Sequence, residues 1–116
     1  MPKREDGLLL LDIHGAGSKI LLFTTGYSFD DYMADERTKD AVVRNFEIIG
    51  EAARNLSTVI TEANPQVEWK KIIGFRNILV HDYFGIDHRI VWTAIQDFLP
   101  DTIKAIQKII ETTKGK

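Results

Sequence analysis

Cysteine is absent from the chain. Disulfides and thiolate metal sites are therefore excluded. Proline occurs three times, and Pro2 lies ahead of anything that folds, so only Pro65 and Pro100 punctuate the chain. Long apolar runs are missing too. Leu8 to Leu11 and Ile20 to Phe23 are typical of the longest, far short of the ~20 residues that span a bilayer. The leucines after Met1-Pro2-Lys3-Arg4-Glu5-Asp6 do not read as a signal peptide. Asp12 and His14 interrupt the stretch and no small-residue cleavage site follows, so a cytoplasmic location is expected. There is no excess of positive charge either: 15 Lys and Arg stand against 17 Asp and Glu, a net charge of −2. Proteins that grip long nucleic acid by bulk charge are basic. Any such role here must be local, or must need a second subunit to build a basic groove. Repeats, low-complexity tracts and the alternation typical of strands are absent.

What is present is helical periodicity. With 116 residues and 44% apolar content, the chain suits one ordinary core, and a single domain over 1–116 is expected. The spacing predicts four helical blocks. The first runs from about Arg4 to Thr24, with Leu9, Ile13, Ala16, Ile20 and Phe23 on one face. Gly15 and Gly17 weaken it by roughly 1 kcal/mol each relative to alanine, for which a close helix crossing is one structural reason. Gly26 closes the block, and Ser28 caps a short helical turn through Asp30, Asp31 and Tyr32. The second runs from about Glu36 to Glu62, with Val42, Phe46, Ile49, Ala53, Leu56 and Ile60 as a bundle seam. Asn64 caps a third block that starts at Pro65 and runs to Tyr83, where Gly85 stops it. Asp87 caps the fourth, which reaches about Thr113. Its stripe is Trp92, Ile95, Leu99, Ile103, Ile106 and Ile110, and Pro100 should kink it. The expected fold class is all-α, an up-and-down four-helix bundle with a short extra helical turn.

The third block carries the chemistry-bearing residues. Arg76, Asn77, His81 and Tyr83 crowd among Ile72, Ile73, Phe75, Ile78, Leu79 and Val80. At about 100° per residue, Arg76 and Tyr83 lie nearly in line and should point to the apolar side. Asn77 and His81 stack and flank that side. His81 is about 140° around from Arg76, so one regular helix does not aim both at one atom by backbone direction alone. Taken singly, each has a structural reading. Arg76 pairs with Glu47 or Glu51, His81 is a satisfied structural residue, and Tyr83 is core with its hydroxyl tied off. Together they are costly to bury within two turns unless something offsets the cost. Asp30, Asp31, Asp35 and Glu36 read as a solvated face and helix-start charge, and His88, just past a cap, as exposed.

The segment Arg76-Asn77-Ile78-Leu79-Val80-His81-Asp82-Tyr83 resembles the Arg-four-residues-His-any-Tyr motif of the HEPN superfamily. More narrowly, it looks like the HepT toxins, the ribonuclease halves of two-gene toxin–antitoxin systems. Arg44-Asn45-Phe46-Glu47-Ile48-Ile49-Gly50-Glu51-Ala52-Ala53 is similar to that family's second-helix signature. Trp69 and Phe84-Gly85-Ile86-Asp87 also fit. The resemblance covers about Gly26 to Ile110.

The chemistry follows from residue types. RNA carries its own nucleophile, the 2′-hydroxyl beside each phosphodiester. A histidine titrating near neutrality suits removal of its proton, and an arginine's fixed fork suits charge building on the phosphoryl oxygens. His81 and Arg76 are the expected catalytic pair. No metal or cofactor is called for, since His14, His81 and His88 form no ligand cluster and Asp82 and Asp87 alone are a poor cage. Asn77 either orients His81, binds phosphate or makes a local helix-end hydrogen bond. Glu51 either enters the site or pairs with Arg76, and the structural role is favoured. The resemblance implies a 2′,3′-cyclic phosphate product and a homodimer. It also implies a nucleotidyltransferase antitoxin that adds AMP to Tyr83. The competing reading is a non-catalytic HEPN module that binds nucleotide or scaffolds a nucleotidyltransferase.

Overall fold

A computed structural model describes residues 4–80 and 85–114. Among them every regular element is helical: α1 (Asp6–Phe23), α2 (Phe29–Ala34), α3 (Glu36–Asn55), α4 (Thr58–Ala63), α5 (Trp69–Val80), α6 (His88–Thr93), a π turn (Ala94–Phe98) and α7 (Leu99–Lys114). The last three follow one another without a gap, so four long rods carry the fold, as the periodicity predicts. No described helix is long and apolar enough to cross a membrane.

The rods pack around the expected seam. Val42, Phe46, Ile49, Ala53 and Leu56 of the second predicted block are all buried, as are Ile95, Leu99, Ile103 and Ile106 of the fourth. Helix α3 is central. It packs most extensively on α1 and then on α5, while α1 also packs on α7. A Cβ added at Gly17 would come within 2.8 Å of Ile103 Cδ1, so this glycine does mark a close crossing of α1 and α7. Gly15 does not, because a Cβ there meets nothing within 4 Å.

The caps explain most of the boundaries. Gly26 and Gly85 both have positive φ, 75° and 96°, which glycine adopts without steric cost. Ser28 and Asp31 form a reciprocal capping box at α2. Asp35 accepts hydrogen bonds from the Thr38 backbone N–H, the Thr38 hydroxyl and the Tyr27 hydroxyl. Those donors, Tyr27 first, lower its pKa to about 2.

Two predicted helix boundaries need correction. The predicted helix from Glu36 to Glu62 is two helices, which makes two short extra helices rather than one. The break lies at Leu56, whose ψ of 145° is extended. Asp6, 51 residues away in sequence, accepts from the Ser57 backbone N–H at 2.9 Å and from its hydroxyl at 2.6 Å. Ser57 is thereby recruited as the cap of α4. Pro65 does not begin a helix. Asn64 ends α4, and Pro65 sits in a turn closed by Val67 N–H on the Asn64 carbonyl. The Trp69 indole N–H donates to that same carbonyl, at 3.0 Å, and α5 starts there. Pro100 is accommodated by the π turn just upstream of it. Leu99 N–H reaches back five residues to the Ala94 carbonyl, and the widened turn relieves the clash a proline ring makes with the carbonyl four residues before it.

His88 is not exposed as expected but half-buried. Its Nδ1 lies 2.9 Å from the hydroxyl of the fully buried Tyr32, and the two rings meet edge to face at 5.5 Å. Burial first, then the charge of Lys39, lowers the His88 pKa below its usual value. Glu36, Asp40 and Asp87 oppose that shift. A histidine held neutral in the fold but free to protonate when unfolded stabilises fully above about pH 6.5. That contribution is lost as the pH falls through the folded pKa. The melting temperature should therefore fall between pH 7.5 and pH 5, and His88→Gln should show a shallower fall. Parallel curves for the two proteins would refute this assignment.

Candidate active site

Helix α3 supplies the floor of the site. Arg44, Glu47, Ile48, Glu51 and Asn55 recur at spacings of three and four, so they share one face. They line an open groove of about 520 Å³, walled on one side by Arg4, Leu9 and Asp12 and on the other by Arg76. Gly50 sets how closely α5 approaches. A Cβ at that position would lie 3.2 Å from the Arg76 Cβ and 3.6 Å from the Ile72 carbonyl oxygen. The missing side chain lets the stem of Arg76 lie against the α3 backbone.

Arg76 does not point into the apolar side, as helix direction alone suggests. Its side chain is 39% exposed, and its Nη1 meets Glu51 Oε2 at 2.8 Å. Of the two candidate partners, Glu51 is the one engaged. Asn55 Nδ2 donates to Glu51 Oε1 at 3.2 Å and to the Glu51 backbone carbonyl at 2.9 Å. Both charged groups are too exposed for the pair to add much stability, typically ~0–1 kcal/mol. Its effect is geometric, because it holds the guanidinium over the groove. On the far wall Arg4 clasps Asp12 through Nε and Nη2, at 2.8 and 3.1 Å. Arg44 is exposed and pairs with no carboxylate among the described residues.

Asn77 is exposed on the next position of α5. His81 and Tyr83 lie outside the described residues, so Arg76, Glu51 and Asn77 are the proposed site residues that have a place here. Sequence reasoning missed Arg4 and Asp12 as walls of the groove, and nothing local marks them. Arg44 stands in the signature stretch, and its spacing of seven from Glu51 already puts it on the same face. A second, apolar cavity of about 360 Å³ opens on the flank of α5 that carries Phe75 and Ile78.

The described residues thus place one arginine, tethered by a carboxylate, over an open groove on the surface of a helical bundle. Known proteins of similar sequence say which family this bundle belongs to. The chain matches the family model described as Ribonuclease HepT-like over residues 13–109. It is 38% identical over 116 residues, all of this chain and 96% of the relative, to "Putative RNase MJ0127" of Methanocaldococcus jannaschii. It is 34% identical to "Probable ribonuclease HepT" of Thermococcus cleftensis, over 92% of this chain and 97% of that one. A third relative, "Putative RNase TTE0752" of Caldanaerobacter subterraneus, is 40% identical over 77% of this chain and 80% of its own. No solved structure matches. The chain belongs to the HepT-like ribonuclease family. Its class is therefore that of an RNA-cleaving enzyme.

Proposed function

We propose that this protein is a metal-independent endoribonuclease and the toxin of a two-gene toxin–antitoxin pair. His81 takes the proton of an RNA 2′-hydroxyl, and the freed oxygen attacks the adjacent phosphorus. Arg76 stabilises the charge that builds on the phosphoryl oxygens. The bond from phosphorus to the 5′-oxygen breaks, that oxygen takes a proton from water, and the upstream fragment keeps a 2′,3′-cyclic phosphate. The observation that supports this best is the tether of Arg76 by Glu51 and Asn55, which presents the guanidinium to the groove rather than to the core. In this scheme Glu51 is a positioning residue. Asn77, next to Arg76 and exposed, contributes to phosphate binding. The active form is a homodimer that brings two motif helices around one cleft and concentrates positive charge there, which suits a chain of net charge −2.

Control falls on Tyr83. A nucleotidyltransferase antitoxin adds AMP to its hydroxyl, and the attached phosphate and bulk occupy the place of the RNA backbone near Arg76. The test uses purified protein, RNA and excess EDTA. Cleavage should persist, and the products should carry cyclic phosphate ends. Inhibition by chelation, or 3′-hydroxyl ends, would refute the mechanism. Absence of any cleavage would point to the non-catalytic binding module. Tyr83→Phe keeps the ring and removes only the acceptor. It should stay toxic and escape the co-expressed partner. An active Tyr83→Phe protein that the partner still silences fully would reject modification as the switch.

A further inference from the structure

Helix α1 is apolar on two opposite faces. Leu9, Leu10, Ile13, Ala16, Gly17 and Ile20 are buried in the core. On the outer side Leu8, Leu11 and Leu22 are 43%, 53% and 70% exposed. A surface helix normally carries polar residues there, and an exposed apolar stripe between polar edges is a contact surface. With Gly15 and Ser18, these leucines form the series 8, 11, 15, 18, 22, whose alternating spacings of three and four make a two-helix seam. Gly15 has no reason within one copy, because a Cβ there meets nothing within 4 Å. A glycine inside a helix is destabilising relative to alanine. Small residues at the middle of a seam let two helix backbones approach closely.

We infer that the outer face of α1 is a self-complementary contact between two copies of this chain, laid antiparallel about a two-fold axis between Gly15 and Ser18. Leu11 of one copy then meets Leu22 of the other, and Gly15 meets Ser18. The flanking charges select this orientation. Asp12 and Lys19 border the same edge of the seam, seven residues apart. An antiparallel seam sets that edge against itself, so Asp12 meets Lys19 of the second copy and Lys19 meets its Asp12. A parallel seam sets it against the edge bearing Gly7, His14 and Leu21, which leaves both charges unmatched. Lys19 pairs with no carboxylate among the described residues, and Asp12 holds only the exposed Arg4. Asp12 also walls the Arg76 groove, so the contact adds a lysine of the second copy to the groove's rim. The contact lies on a different helix from the motif and does not depend on the ribonuclease reading.

Light scattering on the full chain and on Leu11→Glu and Leu22→Glu tests the contact. Both positions are already half-exposed or more, so the helical circular-dichroism signal should not change. The solution mass should fall by half in each variant. A mass equal to the parent's, or a parent that is monomeric at micromolar concentration, would overturn the inference. That result would leave the stripe to some other occupant. The orientation is tested by disulfide trapping, which the cysteine-free chain permits. Leu11→Cys and Leu22→Cys proteins, mixed and oxidised, should link to each other more readily than either links to itself. Self-linking without the mixed product would reject the antiparallel register. Lys19→Asp should weaken association several-fold, and Asp12→Lys in the same chain should restore it. Failure of that rescue would also reject the register.

Discussion

Arg76→Ala should lower the rate of RNA cleavage by about 10²–10⁴ while leaving the helical signal and melting temperature nearly unchanged. The size comes from the proposed role. A donor that meets charge only as it develops in the transition state is worth several kcal/mol of barrier. The small effect on stability comes from the structure, since an ion pair whose partners are 39% and 50% exposed contributes little to folding. His81→Ala should cost a similar factor through loss of the general base. Glu51→Gln tests the tether separately. Gln keeps one oxygen for Arg76 but loses the charge and the second acceptor, leaving Asn55 only its bond to the backbone carbonyl of residue 51, so a smaller loss is expected, seen in kcat more than in KM. Single-turnover cleavage of a short RNA measures all three. Arg76→Ala and His81→Ala proteins that cut like the parent would show that the groove beside α3 is not where the reaction occurs.

The largest expected loss of stability is at Tyr32. Its side chain is fully buried, its ring lies 5.4 Å from that of Trp92, and its hydroxyl meets His88. Tyr32→Ala removes an aromatic ring from a close-packed site, which typically costs about 3–5 kcal/mol. That is a large share of the ~5–15 kcal/mol holding a domain of this size together. Tyr32→Phe keeps the ring and leaves the half-buried His88 Nδ1 without its partner, a loss of about 1 kcal/mol. Urea melts of the three proteins should rank parent, Phe, Ala. A Tyr32→Ala protein within 1 kcal/mol of the parent would mean that the ring's packing is dispensable. The prediction bears on function because Tyr32 anchors the start of α6, only seven residues past His81 in sequence.

The fold class was legible because its signal is local. Spacings such as Phe46, Ile49, Ala53 and Leu56 dictate a buried stripe wherever the helix lies, and Ser28, Asp87 and Gly26 end or start helices through contacts within a few residues. Helix boundaries failed where the deciding partner was remote. Nothing near Ser57 announces that Asp6 will bind it and divide a continuous apolar pattern. Nothing near His88 announces the buried Tyr32, so position after a cap suggested exposure. The pairing of Arg76 with Glu51 was one of two local possibilities.

The sequence by itself determined the all-α class, the buried seams and the motif by which the chain resembles its family. Each of these rests on spacing along one helix or on residue type. Only the tertiary structure decided that Arg76 leaves the core side for the groove, that Gly50 lets it lie there, and that Asp12 of α1 and Arg4 just ahead of it face it. These facts depend on how closely α3 and α5 cross and on which helix lies opposite, and the pattern of a single helix holds no information on either.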